Sequence, residues 1–376
     1  KERLDTEHTE VTAQLAEIAV NVKSFGAKGD GSQYENQYIQ DAIDFVANSG
    51  GGKVLIPPGD YKLNLTSFGA IYLWDNVILE GSGYESYLYI DPTIAIPSII
   101  HTIISIGDNS FGAKNVRVKN IRVKGHQSVL AEPNGKYIQG INARQSAQPL
   151  EYTENVIIEE CYVEDTNIPI GCSKNTDDNF GTTERILSQH RNWNVRGNII
   201  TKATNKGIEL QECRDSKVEN NLLDDVVSGL QAVCASENIL FKANKVKFKY
   251  TGLDITQSVS NIIAEDNYLE SLVSTTSSCI AIRNEPYELE SVIKNIKIRG
   301  NICENPNSYS IWFETRPGNL NTSFEAIHFD DNKLNGKVIL FDRTVPGLSS
   351  FKDIKFTDNR ILSIQTKDNN YNSMED

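Results

Sequence analysis

Short stretches of alternating apolar and polar residues recur along most of this chain. The recurring unit has the form Asn-hydrophobic-x-hydrophobic-x-x-Asn-hydrophobic, and residues 115–121 are one copy of it. Alternation with a period of two is typical of a strand that buries one face. Further copies begin near positions 193, 216, 239, 262, 296, 327 and 354. The pattern therefore predicts many short strands and few helices beyond about residue 75.

The second asparagine of the unit recurs at regular steps. These asparagines are Asn198, Asn221, Asn244, Asn267, Asn301, Asn332 and Asn359. The first four are 23 residues apart, and the later steps are 34, 31 and 27 residues. One coil of chain cannot bury its own inner face, so repeated coils stack on one another. We therefore predict an all-β fold, a parallel β-helix with three short strands in each coil. The asparagines are expected at left-handed or bridge-region corners, where they form a hydrogen-bonded ladder along the stack.

The residues before this repeat have a different pattern. Residues 4, 8, 11, 15, 18 and 22 follow heptad spacing and are apolar except at His8. This predicts a helical stalk or coiled coil over residues 1–21, with an intramolecular cap as the alternative. Residues 22–70 are expected to form an N-terminal cap and the first coil, with a strand-like start at Val22 and a capping helix within residues 35–48. Residues 71–376 then form the parallel β-helix.

Charge and composition narrow the choice of partners. The chain has 376 residues and a formal net charge of −13, which repels nucleic acid and anionic membranes. It contains no run of 18 apolar residues, so no membrane insertion is expected. The six cysteines lack CxxC or metal-ligand spacing, so we expect buried thiols and folding in a reducing compartment. The chain starts at Lys1 without a methionine, and we expect it to be part of a longer protein.

Three sequence blocks near the start of the chain carry a family resemblance. They are VKSFGAKGDG at residues 22–31, IQDAI at residues 39–43 and GGGKVLIPPGDY at residues 50–61. Together they closely resemble the opening of the pectate-lyase-like superfamily, which includes polygalacturonases and the tailspike and preneck appendage proteins of bacteriophages. The repeat extends this resemblance to about residue 364. The resemblance implies a single-stranded right-handed β-helix.

The heptads that precede the blocks make the chain most similar to a phage tailspike or preneck appendage. That resemblance implies a homotrimeric depolymerase of the virion tail, folded in the bacterial cytoplasm and acting outside the host cell during host adsorption. Its partner would be a bacterial cell-surface polysaccharide or cell-wall polymer. The chain departs from polygalacturonases, because Asp177-Asp178 occurs without a following Gly-His-Gly. No calcium-type aspartate cluster is present, so we expect no cofactor, although a divalent cation could bind.

Aligning the strands that start with Gly, Cys or Ser followed by Ile or Leu predicts two outward columns. One column is Glu209, Gln231, Asp254, Ala281 and Trp312, and the next is Gln211, Val233, Thr256, Arg283 and Glu314. Glu209 and Asp254 are then two coils apart, about 9–10 Å between Cα atoms. Their side chains could close this to about 6.5–9.5 Å between carboxyl groups, the separation in an inverting glycosidase. We therefore predict that one carboxylic acid protonates the leaving oxygen and the other carboxylate activates water.

The other members of the columns suit substrate binding. Gln231 is expected to hold a sugar hydroxyl, Trp312 to offer its ring face to a sugar, and Arg283 or Gln211 to orient it. Glu314 completes the predicted substrate-binding set, and Asp177 and Asp178, in a polar loop, are secondary candidates.

Several alternatives remain open from sequence. Outward carboxylates on a β-helix are often plain solvated surface. The chain could instead be a polysaccharide lyase, a teichoic-acid-degrading appendage, or a receptor-binding fibre without catalysis. A phosphate-linked polymer would be served by His190-Arg191.

Overall fold

Short parallel strands make up nearly all of the regular structure. The computed structural model describes residues 19–65, 68–95, 100–130, 137–145, 151–174, 189–273, 276–284, 290–315, 321–343 and 348–366. These residues divide into two compact units. Unit 1 comprises the residues up to 174 and residues 190–204, and unit 2 comprises residue 189 and the residues from 205 onward. In this described part of the chain, no helix is long and apolar enough to span a membrane.

Unit 1 contains a helix α1 (Asn36–Asn48), a short helix α2 (Gln127–Leu130), a 3-10 helix (Val22–Phe25) and fifteen strands. The strands are β1 (Ala19–Asn21), β2 (Gly52–Ile56), β3 (Gly59–Leu63), β4 (Gly69–Leu73), β5 (Val77–Gly81), β6 (Ser86–Ile90), β7 (Ile100–Ile106), β8 (Lys114–Lys119), β9 (Arg122–Lys124), β10 (Tyr137–Gln145), β11 (Glu154–Glu159), β12 (Tyr162–Glu164), β13 (Ile170–Lys174), β14 (His190–Arg196) and β15 (Ile199–Thr201). One sheet of the unit has the order β1-β2-β5-β8-β11-β14. The remaining strands pair in a second sheet, as β3 with β6 and β4 with β7.

Unit 2 repeats the same arrangement with longer strands. They are β16 (Lys206–Gln211), β17 (Cys213–Glu219), β18 (Leu222–Val233), β19 (Glu237–Lys242), β20 (Lys245–Thr256), β21 (Ser260–Glu265), β22 (Tyr268–Ser271), β23 (Ser278–Arg283), β24 (Glu290–Arg299), β25 (Ile302–Thr315), β26 (Asn321–Asp330), β27 (Lys333–Arg343), β28 (Leu348–Thr357) and β29 (Arg360–Thr366). One sheet has the order β17-β19-β21-β24-β26-β28, and all its pairs are parallel. Strands β18 and β20 are each one continuous strand where the sequence predicts two separate strands of a coil. Their pairing contains register shifts between residues 223 and 228 of β18. The predicted all-β class is confirmed.

The core of unit 2 is a stack of equivalent inward residues. One column consists of Ile208, Leu230, Leu253, Ile280 and Ile311, all fully or almost fully buried. In the other sheet, the rings of Phe329 and Phe356 on paired strands stack with their centroids 4.6 Å apart. Each coil thus covers the apolar face of the next, as the period-two pattern predicts.

Helix α1 covers the exposed backbone of strand β4. Gln40 donates to the carbonyl of Tyr72 and accepts from its N–H, while Asn36 donates to the carbonyl of Ala70. Four helical residues advance about 6 Å, and two strand residues advance nearly the same distance. Polar residues four positions apart on α1 therefore lie opposite backbone groups two positions apart on β4. The side chains of α1 form the hydrogen bonds that a neighbouring strand would otherwise supply to this edge.

The predicted asparagine ladder is present in unit 2. Asn244 donates through Nδ2 to Oδ1 of Asn267 at 2.9 Å and to the carbonyl of Val218 at 2.8 Å. Its own Oδ1 accepts from the side chain and backbone N–H of Asn221. The same pattern continues through Asn301 and Asn332. The ladder satisfies buried polar groups at a corner that the strands alone leave unpaired.

Of the two corner geometries predicted for the ladder asparagines, the left-handed one is wrong, because these asparagines are absent from the described residues with positive φ; the bridge region stays a prediction. Asn220, Ala243 and Asp266, each one residue earlier, have φ of 56°, 53° and 56°. The first asparagine of the repeat, as at Asn238 and Asn261, also has a positive φ. The turn therefore uses the residue before the ladder, and the ladder side chain is free to bond along the stack.

Two expectations for the N-terminus also need correction. Ala19–Asn21, the end of the predicted stalk, is strand β1 paired with β2, because the free edge of β2 offers backbone partners. The strand-like start at Val22 is a 3-10 helix, since the side chain of Asn21 caps Lys23 N–H and Gly26 closes it at φ 103°. The rest of the predicted stalk lies outside the described residues.

Replacing Asn244 with alanine should lower the free energy of unfolding by about 2–3 kcal/mol, because buried donors on Asn221 and the carbonyl of Val218 lose their partner. Urea denaturation measures the change. Asn238→Gly is the matched control, since it removes an exposed hydrogen bond to Asp215 and keeps a residue suited to positive φ. A loss of the same size in the control would show that burial of the ladder is not the cause.

Candidate functional site

The strand register of unit 2 confirms the two predicted columns. Glu209 pairs with Gln231, Gln231 with Asp254, and Asp254 with Ala281, which pairs with Trp312. The residues of the second column pair with one another across the same five strands. Its members are Gln211, Val233, Thr256, Arg283 and Glu314. The flanking residues of each strand point into the core, so both columns lie on the outer side of the sheet.

Glycines fix the entry into three of these strands. A Cβ on Gly229 would lie 2.4 Å from the carbonyl oxygen of Gly252, and one on Gly252 would lie 2.6 Å from that of Cys279. A Cβ on Gly207 would meet the side chain of Leu223 at 2.4 Å. The backbones approach so closely that only glycine fits, which places the next outward residue at the same height in each coil.

The columns are far less exposed than an ordinary outer face. Glu209 is 9% exposed, Asp254 0%, Arg283 4% and Glu314 8%. A buried charge is unfavourable unless it is paired and hydrogen-bonded. The arrangement is therefore a built polar site and not a solvated surface.

Asp254 is the centre of this site. Its Oδ1 accepts from Nε of Arg283 at 2.9 Å, and its Oδ2 accepts from Nη2 of Arg283 at 2.5 Å. Gln231 donates to Oδ2 at 3.1 Å, and Nζ of Lys206 lies 3.9 Å away. Arg283 also lies 3.8 Å from a carboxylate oxygen of Glu314. A two-point guanidinium–carboxylate pair of this kind fixes both groups in orientation.

Two polar atoms of the site have no protein partner among the described residues. They are Nε1 of Trp312 and Oγ1 of Thr256, and both atoms are buried. Trp312 packs against Tyr309 with ring centroids 5.6 Å apart, so its indole is held in place. Buried polar groups are normally hydrogen-bonded, so these two atoms are polar groups of the site whose hydrogen bonding is incomplete within the described part of the chain.

The remaining sequence candidates are placed differently. Asp177 and Asp178 lie outside the described residues. His190 is fully buried in unit 1, where its Nδ1 lies 2.8 Å from Oγ1 of Thr153. That position makes it part of the core hydrogen bonding of unit 1 and not a surface group for a phosphate.

Sequence reasoning missed Lys206. It precedes the aligned strand start, so the column alignment gave no reason to include it. Thr256 was predicted as a member of the second column but was not assigned a role in the site. Among the described residues, no group of three or more His, Cys, Asp or Glu side chains is placed to hold a metal ion.

A family model described as a right-handed beta helix region matches residues 101–269. The mannuronan C5-epimerase AlgE6 of Azotobacter vinelandii is 47% identical over 66 residues, which are 17% of this chain and 8% of that protein. The chain thus spans a small part of the curated relatives that it matches.

Solved structures match over far more of the chain. The A-module of AlgE6 has a TM-score of 0.61 and 18% identity, covering 93% of this chain and 98% of that one. An exopolygalacturonase of Thermotoga maritima has a TM-score of 0.64 and 14% identity, covering 95% and 92%. A tailspike protein of E. coli bacteriophage HK620, solved with a pentasaccharide, has a TM-score of 0.56 and 15% identity, covering 91% and 66%.

These likenesses settle the fold that the parallel registers and the repeat indicate. The match of the family model agrees with them over the middle of the chain. This chain has the right-handed parallel β-helix of the pectate-lyase-like fold.

Proposed function

We propose that this chain binds a bacterial cell-surface polysaccharide on the outer face of β16, β18, β20, β23 and β25 and hydrolyses its glycosidic bonds. The observation that carries the proposal is the buried row of polar and charged side chains from Glu209 to Glu314. Burying these groups on an outer face is unfavourable without a function that uses them. The proteins with a similar fold include an exopolygalacturonase and a tailspike solved with a pentasaccharide, and this favours a polysaccharide ligand.

The geometry favours different roles for the two carboxyl groups. We assign Asp254, which accepts hydrogen bonds from Arg283, the role of general base, and in this role water reaches its carboxylate as the ion pair opens. Glu209, two strands away, takes the role of general acid. Asp254 removes a proton from water as the oxygen attacks the anomeric carbon, and Glu209 gives its proton to the departing glycosidic oxygen. The sugar configuration is inverted.

The other site residues hold the sugar chain. The ring of Trp312, which is partly exposed, packs against the apolar face of a sugar. Gln231 is shared between the base and the substrate, while Gln211 and Glu314 contact the neighbouring sugars.

The test is incubation of the purified protein with capsule and cell-wall polymers, followed by mass spectrometry of the products. New reducing ends support the proposal. Unsaturated ends would make the chain a lyase, and phosphorylated fragments would move the activity to teichoic acid. Both outcomes would contradict the acid–base pair of Glu209 and Asp254.

A non-catalytic fibre that only binds the polysaccharide is the second candidate. Complete burial of Asp254 within its ion pair favours it, because a base must reach water. This candidate predicts that the polymer stays intact on long incubation and still binds with the same affinity to Asp254→Asn.

We further propose that the chain is part of a phage tail appendage that acts as a homotrimer outside the host cell. Sedimentation-equilibrium measurements should give three times the mass of 41.9 kDa per chain. A monomer over the micromolar range would contradict the trimer and leave the single-chain site of unit 2 as the complete site.

A further inference from the structure

A second polar and aromatic surface lies in unit 1, on strands other than those of the proposed site. Trp74, just after β4, separates two open depressions. One, of about 510 Å³, is lined by Asp44, Ala47, Asn48, Trp74, Asp75 and Asn76. The other, of about 310 Å³, is lined by Phe68, Tyr72, Trp74, Asp108, Asn109 and Ser110. Both volumes are in the range of small-ligand sites. We call this surface the Trp74 platform.

The aromatic rings of the platform are held in fixed orientations. Tyr72 and Trp74 are nearly parallel, with an interplanar angle of 10° and centroids 6.0 Å apart. Nε1 of Trp74 donates to Oδ1 of Asp44 at 2.8 Å, and the hydroxyl of Tyr72 accepts from the N–H of Gly69 at 2.7 Å. Rigid rings of this kind bind a flat apolar face with little loss of side-chain entropy.

Hydrogen-bonding groups surround the rings. Oδ1 of Asp44 accepts from Trp74 and Gln40, which leaves Oδ2 of this lining residue as a further acceptor. Oδ1 of Asn76 accepts from Asn115, which leaves its amide nitrogen as a donor. The exposed carboxamide of Asn48 supplies both kinds of group. An apolar ring face bordered by acceptors and donors matches the alternating C–H face and hydroxyl edge of a pyranose.

The charge of the platform selects among sugars. Its lining includes Asp44, Asp75 and Asp108 and contains neither lysine nor arginine. These carboxylates repel uronates and phosphodiesters. We infer that the Trp74 platform is a second carbohydrate-binding site, which takes a neutral oligosaccharide and is independent of hydrolysis in unit 2.

Tryptophan emission can report this site by itself. The chain has three tryptophans, Trp74, Trp193 and Trp312, and Trp193 is fully buried. In Trp312→Phe, a ligand-dependent change of emission therefore comes from Trp74. The probes are the hexasaccharides of glucose, mannose and N-acetylglucosamine, with hexagalacturonate as the anionic control.

At least one neutral hexasaccharide should change the emission with saturation, and hexagalacturonate should not. Asn48→Ala should weaken that binding about fivefold by removing a ligand hydrogen bond. Ala47→Arg, which fills the larger depression, should weaken it further. Both positions are outside the core, and circular dichroism confirms folding.

No saturable change with any neutral probe up to about 10 mM, or equal affinity for hexagalacturonate, would overturn the inference. Equal affinity in wild type, Asn48→Ala and Ala47→Arg would also overturn it. Polymer hydrolysis is measured separately with the native tryptophans. Loss of hydrolysis in Glu209→Gln with binding at Trp74 retained would separate the two sites.

Discussion

Replacing Asp254 with alanine should lower the free energy of unfolding by about 3–5 kcal/mol. The change removes the carboxylate that accepts two hydrogen bonds from the guanidinium of Arg283, whose side chain is only 5% exposed. A charge that stays buried without its partner destabilises far more than the intact pair stabilises. Urea denaturation monitored by far-ultraviolet circular dichroism gives the change in midpoint and slope.

Asp224→Ala is the matched control for this stability prediction. Asp224 forms a 3.8 Å ion pair with Lys247, but its side chain is 51% exposed, so the loss should be about 0–1 kcal/mol. The double variant of Asp254 and Arg283 to alanine should recover part of the loss, because it removes the buried guanidinium together with its main partner. Equal losses for Asp254→Ala and its control would mean that the site is solvated in solution.

Replacing Glu209 with glutamine should reduce kcat for polysaccharide hydrolysis by about 10²–10⁴-fold, since the general acid is removed while the shape of the side chain is kept. The stability should change little, because a carboxamide can replace most hydrogen bonds of a carboxyl group. Product formation followed by reducing-end assays measures the effect. The pH–rate profile should lose its basic limb, which reports ionisation of the acid.

Glu219→Gln is the control for this activity prediction. Glu219 lies on β17 in the other sheet of unit 2, so its replacement should leave kcat unchanged. Equal activity of Glu209→Gln and wild type would remove Glu209 from the mechanism. Lys206, whose Nζ lies 3.9 Å from the carboxylate of Asp254, would then be the place to look for the proton donor.

Most of the site register was predictable, because it depends on local periodicity. The 23-residue step by itself places Gln231 beside Asp254, and the observed pairing is the same. Burial of the same residues was not predictable. Alternation shows on which side of a sheet Asp254 lies, but the depth of that side depends on groups distant in sequence, such as Arg283.

Backbone detail was also beyond the sequence pattern. Asparagine tolerates left-handed φ and also forms side-chain ladders, so its presence at a corner does not tell which property is used. The structure uses the ladder at Asn244 and places the left-handed turn at Ala243, a residue with no preference for it. Cooperative bonding along the stack outweighs that local preference.

The coils that contain Asn221, Asn244 and Asn267 have equal length, so equivalent residues of successive coils lie above one another on the outer face. Any two residues in a column are separated by whole multiples of about 4.8 Å, and a sugar unit in an extended chain advances by a similar length. Loss or duplication of one 23-residue coil between Glu209 and Asp254 would change the distance between them by one such step. The turns of the remaining coils would be unchanged. Evolution of a new spacing between acid and base therefore requires a change in the number of coils and not a redesign of any one of them.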